Sequence, residues 1–216
     1  MTTVSHQHPQ AIDGRRLGRR AQLTRRKLLD ATADLLHQQG ILELKVVDVA
    51  RSVGTSPATF YQYFQNVDEA VLALAEEVAE ETHHLTALID EPWTGRRGLE
   101  LARQLVDGFV SYWDAHRAVL RTRNLAAEEG DQRFRKIRVQ TLSRITDPLA
   151  AKIKEQQDAG RVSAEMTPYA AASAMVAMME RMAAYHFDLE PRGLTREAVV
   201  ETVSRIVYQT VTGRRA

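Results

Sequence analysis

Residues 46–64 hold two short apolar-periodic segments on either side of a Gly54-Thr55-Ser56-Pro57 turn, and few folds accommodate that arrangement. Val46, Val49, Ala50 and Val53 recur at helical spacing and form one apolar face. Gly54 follows, and glycine closes a helix because it enters the left-handed region without a Cβ clash. Ser56 offers an N-cap oxygen, and Pro57 fits the first helical position, where no N–H is needed. A second helix over 57–64 buries Phe60 and Phe64, four residues apart, and leaves Thr59, Tyr61, Gln62 and Tyr63 partly or wholly outside. Exposed hydroxyls, an amide and aromatic rings in one run suit contacts in a nucleic-acid groove.

The rest of the sequence narrows the class. The chain has 216 residues, 44% hydrophobic and 26% charged, ordinary values for a globular protein. It has no cysteine, which excludes a disulfide framework and a thiolate metal site. No apolar run approaches the roughly 18 residues of a membrane span, and the N-terminus lacks a signal-peptide apolar region. A cytoplasmic location away from membranes is expected. His6 and His8 sit in a polar tail and carry no metal-site pattern, so neither a metal nor a cofactor is expected. A small helical enzyme finds no support in a Gly-rich phosphate loop, a zinc-type histidine pair or a nucleophile elbow. Net charge is only +1, but its distribution is uneven. Arg15, Arg16, Arg19, Arg20, Arg25, Arg26 and Lys27 cluster before and at the start of the first helix, and no Lys or Arg lies between Arg51 and Arg96. That stretch carries Asp68, Glu69, Glu76, Glu77, Glu80 and Glu81 instead, so one end of the molecule is basic.

Periodicity predicts further helices. One spans 24–39, capped by Thr24 and stopped by Gly40, with Leu28, Ala31, Leu35 and Leu36 inward and Ile41, Leu42 and Leu44 plugging the core under the following loop. A continuous helix is expected over 67–89, with Val71, Leu74, Val78, Leu85 and Leu88 on one side and the four glutamates at 76–81 on a solvated face. His83 and His84 near its far end read as ordinary histidines. Asp90 to Gly95 breaks the pattern. A helix then follows Gly95, to about 114, and others run over 116–129 and 132–159, with a kink or break at Pro148 in the last and a stop at Gly160. Thr167 and Thr195 read as caps of helices over 168–187 and 196–212, and Gly213 ends the second.

The elements Asp48-Val49-Ala50, Gly54-x-Ser56, Thr59-Phe60-Tyr61-x-Tyr63-Phe64 and Asp68-Glu69 resemble the helix-turn-helix of TetR-type bacterial transcriptional regulators. With Pro57 and the arginine-rich arm, the pattern is most similar to the actinobacterial ethionamide-repressor-like branch. The specific likeness covers residues 24–74; beyond it only length and helical character match. Two positions depart from the family pattern: Lys45 stands where a capping Ser or Thr is usual, and Asn66-Val67 stands where Ser-Lys is usual.

The resemblance implies an all-α fold. A disordered basic arm (1–21) precedes a three-helix helix-turn-helix DNA-binding domain (22–66), and a connector helix leads into a helical ligand-binding and dimerisation domain (67–216). It implies a repressor that leaves a palindromic double-stranded DNA operator when a small, largely apolar ligand binds. The DNA-contacting set is Arg15, Arg16, Arg19, Arg20, Arg25, Lys45, Thr55, Ser56, Thr59, Tyr61, Gln62 and Tyr63, with Arg26 and Arg51 adding charge. The recognition helix lacks a basic residue, so arginine-to-guanine readout is absent there, and Gln62 to adenine is the expected direct contact. The candidate ligand lining is Phe109, Tyr112, Trp113, Leu120, Met175, Met178, Met179 and Met182, with Asn124 and Glu180 as polar handles. Ala174, Val199, Val203, Ile206 and Thr210 are expected at a homodimer interface. The alternatives are a small helical enzyme, a non-specific architectural DNA binder that needs the basic arm but not Tyr61 or Gln62, and a ligand-binding module without specific DNA binding.

Overall fold

The computed structural model describes residues 17–214. Arg15, Arg16, His6 and His8, and the part of the expected disordered arm up to residue 16, lie outside the described residues; residues 19–21 of that arm are the start of the first helix. Every regular element among those described is helical: α1 (Arg19–Gln39), α2 (Val46–Ser52), α3 (Pro57–Phe60), α4 (Val67–Glu80), α5 (His83–Asp90), α6 (Gly95–Glu128), α7 (Gln132–Asp158), α8 (Pro168–Tyr185), a 3₁₀ segment (His186–Arg192) and α9 (Arg196–Thr212). None of these helices is long and apolar enough to cross a membrane. The chain divides into two compact units. One contains the residues up to Glu77 together with Ala118–Phe134; the other contains Val78–Arg117 together with the chain from Arg135 onward.

In the first unit the apolar stripes of four short elements meet. Leu28, Leu29 and Leu36 of α1, Val49 and Ala50 of α2, Phe60 and Phe64, and Ala70, Val71 and Leu74 of α4 are all buried. The Phe60 and Phe64 rings lie 5.4 Å apart in a tilted pair, a geometry the ring quadrupoles favour. Helix α1 begins five residues before Thr24. The Thr24 hydroxyl donates to the Arg20 carbonyl and so satisfies itself within the helix instead of capping it. Gly18 is the residue before the first turn, and the Gln22 amide ties that turn to the Leu17 carbonyl at 2.9 Å. Of the three expected core plugs after Gly40, Leu44 is buried, Ile41 is half-buried and Leu42 is 92% exposed.

The second unit departs from simple periodicity at three places. The expected helix over 67–89 breaks between α4 and α5 because consecutive side chains take the local carbonyls. Thr82 Oγ1 donates to Ala79 O at 2.9 Å, His83 Nδ1 to Glu80 O at 2.7 Å and His84 Nδ1 to Glu81 O at 2.7 Å. The two helices expected on either side of residue 115 are one helix, α6, with a single non-helical residue, His116 (φ −124°, ψ 18°). Helix α7 runs through Pro148. Proline removes the N–H that would serve the carbonyl four residues earlier, and that carbonyl, Arg144 O, accepts instead from Thr86 Oγ1 of α5 at 3.3 Å.

Near the C-terminus, Thr167 precedes α8 with extended backbone but makes no side-chain cap bond, whereas Thr195 Oγ1 accepts from the Ala198 N–H as expected. Helix α8 ends at Tyr185 and tightens into the 3₁₀ segment. That segment and α9 are fixed to α6 by a charged network. Asp114 accepts from His186 Nε2 at 2.8 Å, Arg117 Nη2 at 3.0 Å and Arg196 Nε at 3.4 Å, while Arg196 also reaches Asp107 at 2.6 Å and Ser111 Oγ at 2.7 Å.

Candidate nucleic-acid interface

The two short helices of the first unit are joined as their sequence dictates. Gly54 closes α2 at φ +68°, and the Thr55 N–H returns to Ala50 O at 2.9 Å. Ser56 Oγ accepts from the Thr59 N–H at 3.3 Å, and the two hydroxyls lie 3.1 Å apart. Lys45 precedes α2 without a side-chain cap bond and is exposed. Helix α3 itself is shorter than expected. Beyond Phe60 the chain winds on through bonds of mixed span, Gln62 N–H to Thr59 O and Tyr63 N–H to Phe60 O three residues back and Phe64 N–H to Phe60 O four back, until Phe64 is buried.

Buried Phe60 and Phe64 therefore hold a turn whose outer side is Tyr61 (52% exposed) and Gln62, with Thr59 and Tyr63 half-buried. Ser56 is exposed and Thr55 half-buried. Arg19 and Arg20 project from the first turn of α1. The first unit thus combines an uncharged, hydrogen-bonding and aromatic face with exposed cations on α1 and before α2, the two kinds of group that base edges and phosphates respectively engage. At the start of α4, Asn66 Oδ1 accepts from the Glu69 N–H at 2.9 Å, and Glu69 Oε2 accepts from the Gln65 N–H at 2.8 Å. That pairing is a capping-box arrangement. It gives one N–H of this helix start and the neighbouring Gln65 N–H protein partners in place of the phosphate that the missing lysine would have favoured.

Residues 28–74 match the model for bacterial regulatory proteins of the tetR family, and residues 85–216 match the tetracyclin repressor-like C-terminal domain. The chain belongs to the TetR family. It is a DNA-binding transcriptional regulator. The HTH-type transcriptional regulator EthR of Mycobacterium tuberculosis strain H37Rv is 25% identical over 215 residues, 99% of each chain. Two solved structures share the fold at 16% identity. The fatty acid degradation regulator FadR from Bacillus halodurans has a TM-score of 0.66 and covers 90% of this chain and 97% of its own. The SmeT–triclosan complex has a TM-score of 0.62 with 88% and 90% covered.

The remaining sequence-derived sites of this TetR-family regulator fall as follows. Phe109, Tyr112, Trp113, Met175 and Met179 are buried in the second unit, Met178 and Met182 are half-buried there, and the Phe109 and Tyr112 rings lie 6.3 Å apart. Leu120 and Asn124 belong to the first unit. Glu180 is buried and accepts from Arg138 at 2.5 Å. Of the expected dimer residues, Val199 and Val203 are each 3% exposed, covered by their own chain, and so are core residues. Ala174 and Ile206 are exposed and Thr210 is half-buried. The free face of α8 and α9 therefore runs through Ala170, Ala174 and Ala177 on one helix and Thr202, Ile206 and Gln209 on the other.

The glutamates at 76–81 are also more than a solvated face. Glu77 pairs with Arg26 at 2.5 Å and with Arg25 at 3.7 Å. Glu80 accepts from Arg144 at 2.7 Å, and Glu81 accepts from His116 Nε2 at 2.8 Å. Their partners lie 35 to 64 positions away in sequence. Local spacing carries no signal for them.

Proposed function

We propose that this regulator is a repressor that binds a two-fold-symmetric DNA operator as a homodimer and leaves it when a small, largely apolar ligand binds in the C-terminal region. The observation that carries the reading is the uncharged, exposed Tyr61–Gln62 surface held on buried Phe60 and Phe64. Such a surface adds little to sequence-independent affinity and acts through base edges and groove shape. Gln62 contacts adenine, Tyr61 packs on thymine methyls, and Arg19, Arg20 and Lys45 contact phosphate. The aromatic and methionine side chains of α6 and α8 support an apolar ligand, in keeping with the triclosan bound by SmeT. Small residues on the free face of α8 and α9 support close helix pairing with a second copy. A dimer sets two recognition helices about 34 Å apart, matching successive major grooves. The protein acts in the cytoplasm and by binding alone, without turnover of its ligand.

The test is fluorescence anisotropy on a duplex enriched by the wild-type protein from a random pool, with unrelated DNA as competitor. Gln62→Ala and Tyr61→Ala should each weaken the enriched duplex by about 1–3 kcal/mol while leaving binding to unrelated DNA and its salt dependence unchanged. Equal loss on both DNAs would refute base readout by this surface.

A further inference from the structure

Two of the five basic residues of α1 already have an anionic partner inside the first unit. Arg26 donates from Nη1 to Glu77 Oε2 at 2.5 Å and from Nε to Asp30 Oδ1 at 2.8 Å. Arg25 Nη1 lies 3.7 Å from the other oxygen of Glu77, and its guanidinium carbon lies 5.2 Å from the centre of the Phe64 ring. One carboxylate on α4 therefore holds both Arg25 and Arg26, and Arg25 stacks on the residue that closes the recognition turn. Burial pushes the Arg25 guanidinium below its ordinary value, with Glu77 and Glu76 opposing. Burial also opposes charge on Arg26, but Asp30 and Glu77 outweigh it and hold that group above its ordinary value. The Glu77 and Arg26 side chains are 42% and 48% exposed, and a pair so exposed contributes little to folding stability. Its consequence lies in the charge presented to DNA.

That consequence is large here because cations are scarce. No Lys or Arg occurs between Arg51 and Arg96, so the cations around the helix-turn-helix in sequence are those of α1, the arm, Lys45 and Arg51. Arg51 is itself 3.4 Å from Asp48. DNA phosphate and the Glu77 carboxylate compete for the same N–H groups. A non-specific complex is held almost entirely by phosphate contacts, so two freed arginines would strengthen it directly. The specific complex needs the Tyr61–Gln62 surface in register, which the Arg25 contact to Phe64 supports.

We infer that Glu77 determines specificity: it withholds Arg25 and Arg26 from DNA phosphate and keeps Arg25 over Phe64, so that sequence-independent binding stays weak relative to operator binding. Loss of its charge converts a positioning contact into one or two additional phosphate contacts and lowers the ratio of specific to non-specific affinity.

The experiment uses the full-length protein, a random-sequence duplex and the duplex enriched by the wild type, titrated by anisotropy between about 50 and 200 mM salt. Glu77→Gln should steepen the slope of log affinity against log salt on the random duplex by about 0.9 to 1.8, the value for one to two added phosphate contacts. It should bind that duplex about tenfold more tightly near 0.1 M salt, and the enriched duplex no more tightly than the wild type. Glu77→Asp keeps the charge and should keep the wild-type slope. The paired change Arg25→Gln with Arg26→Gln should leave the slope unaltered in the wild-type background and abolish the gain in the Glu77→Gln background. An unaltered or shallower slope for Glu77→Gln overturns the inference. So does a shallower slope when the two arginines are removed from the wild type, because they would then already contact phosphate. Equal weakening on both duplexes with a lowered melting temperature would assign Glu77 a purely structural role and overturn it too. Failure of the wild type to enrich any sequence would refute specific DNA recognition itself while leaving the random-duplex slopes to decide the role of Glu77.

Discussion

Thr86→Val removes a single hydroxyl and keeps the branched shape of the side chain, so it isolates the bond that lets α7 run through a proline. In the wild type the Arg144 carbonyl has no partner at position 148 and accepts from Thr86 Oγ1 at 3.3 Å. A hydrogen bond of this kind contributes about 0.5–1.5 kcal/mol net. The long distance and half-buried site put the expected loss near 1 kcal/mol, or about 2–4 °C in a protein of this size. The informative measurement is the cycle with Pro148→Ala. Alanine restores an N–H that can serve Arg144 O within the helix, so in that background the hydroxyl becomes redundant. Thr86→Val should then cost close to nothing, a coupling of about 1 kcal/mol, above the roughly 0.3–0.5 kcal/mol scatter of independent sites. Urea denaturation of the four proteins gives the cycle directly, with unchanged m-values as the check that the unfolded state is the same. Equal cost of Thr86→Val in both backgrounds would show that the hydroxyl does not replace the missing amide, and the account of how α7 tolerates Pro148 would fail.

Gly213→Ala should destabilise by about 2–4 kcal/mol, the left-handed cost plus an overpacking cost, because φ is +66° and a Cβ there would sit 2.0 Å from the Arg161 carbonyl oxygen; thermal denaturation reads it. The Asp131 carboxyl is held below its ordinary value of 3.8 chiefly by the hydrogen bond from the Arg133 side chain. Its contribution is present above that value and is lost as pH falls through the lower folded one, and carboxyl NMR titration should find the depression reduced in Arg133→Gln, with the part due to the backbone N–H groups retained. Ile206→Arg places a charge on the free face of α9, where Ile206 is 41% exposed, and should yield monomers in sedimentation with little loss of helix content; unchanged dimers would move the proposed interface elsewhere.

The helix-turn-helix was legible because its determinants act within a few residues. Gly54 needs a positive φ, Ser56 caps the N–H three residues on, and Pro57 requires only that its own missing N–H go unused. Thr195 and Gly213 were readable for the same reason. Thr24 and Thr167 carry the same signal without the bond: the Thr24 hydroxyl is satisfied by the carbonyl four residues back, and Thr167 stands at the start of α8 with no side-chain cap bond, yet both look identical in sequence to a cap. On α9 the apolar residues exceed one stripe, yet composition alone does not say which stripe faces the chain itself. Packing gives Val199, Val203 and Val207 to the core and leaves Ile206 outside. The pairs that engage Glu77, Glu80 and Glu81 were illegible for a different reason: periodicity places a side chain on a face, and only the fold decides what stands opposite.

Three of the misread positions share a cause, and all lie in the second unit. The break after α4, the non-helical residue in α6 and the proline in α7 each leave backbone or side-chain groups that an isolated helix would leave to water. Here these groups serve one another. Arg144 of α7 donates to Ala79 O at 2.7 Å and to the Glu80 carboxylate at 2.7 Å, closing the end of α4. Thr86, just past the break, serves the Arg144 carbonyl that Pro148 abandons. His116, where α6 departs from helical geometry, donates to Glu81 within the break. A carbonyl only accepts, so the bonds of His83 and His84 to the carbonyls of Glu80 and Glu81 fix the proton of each ring on Nδ1. A loose hinge would expose unsatisfied groups at this point. The observed junction satisfies them with side chains from three helices, so the break after α4 is a hydrogen-bonded bend.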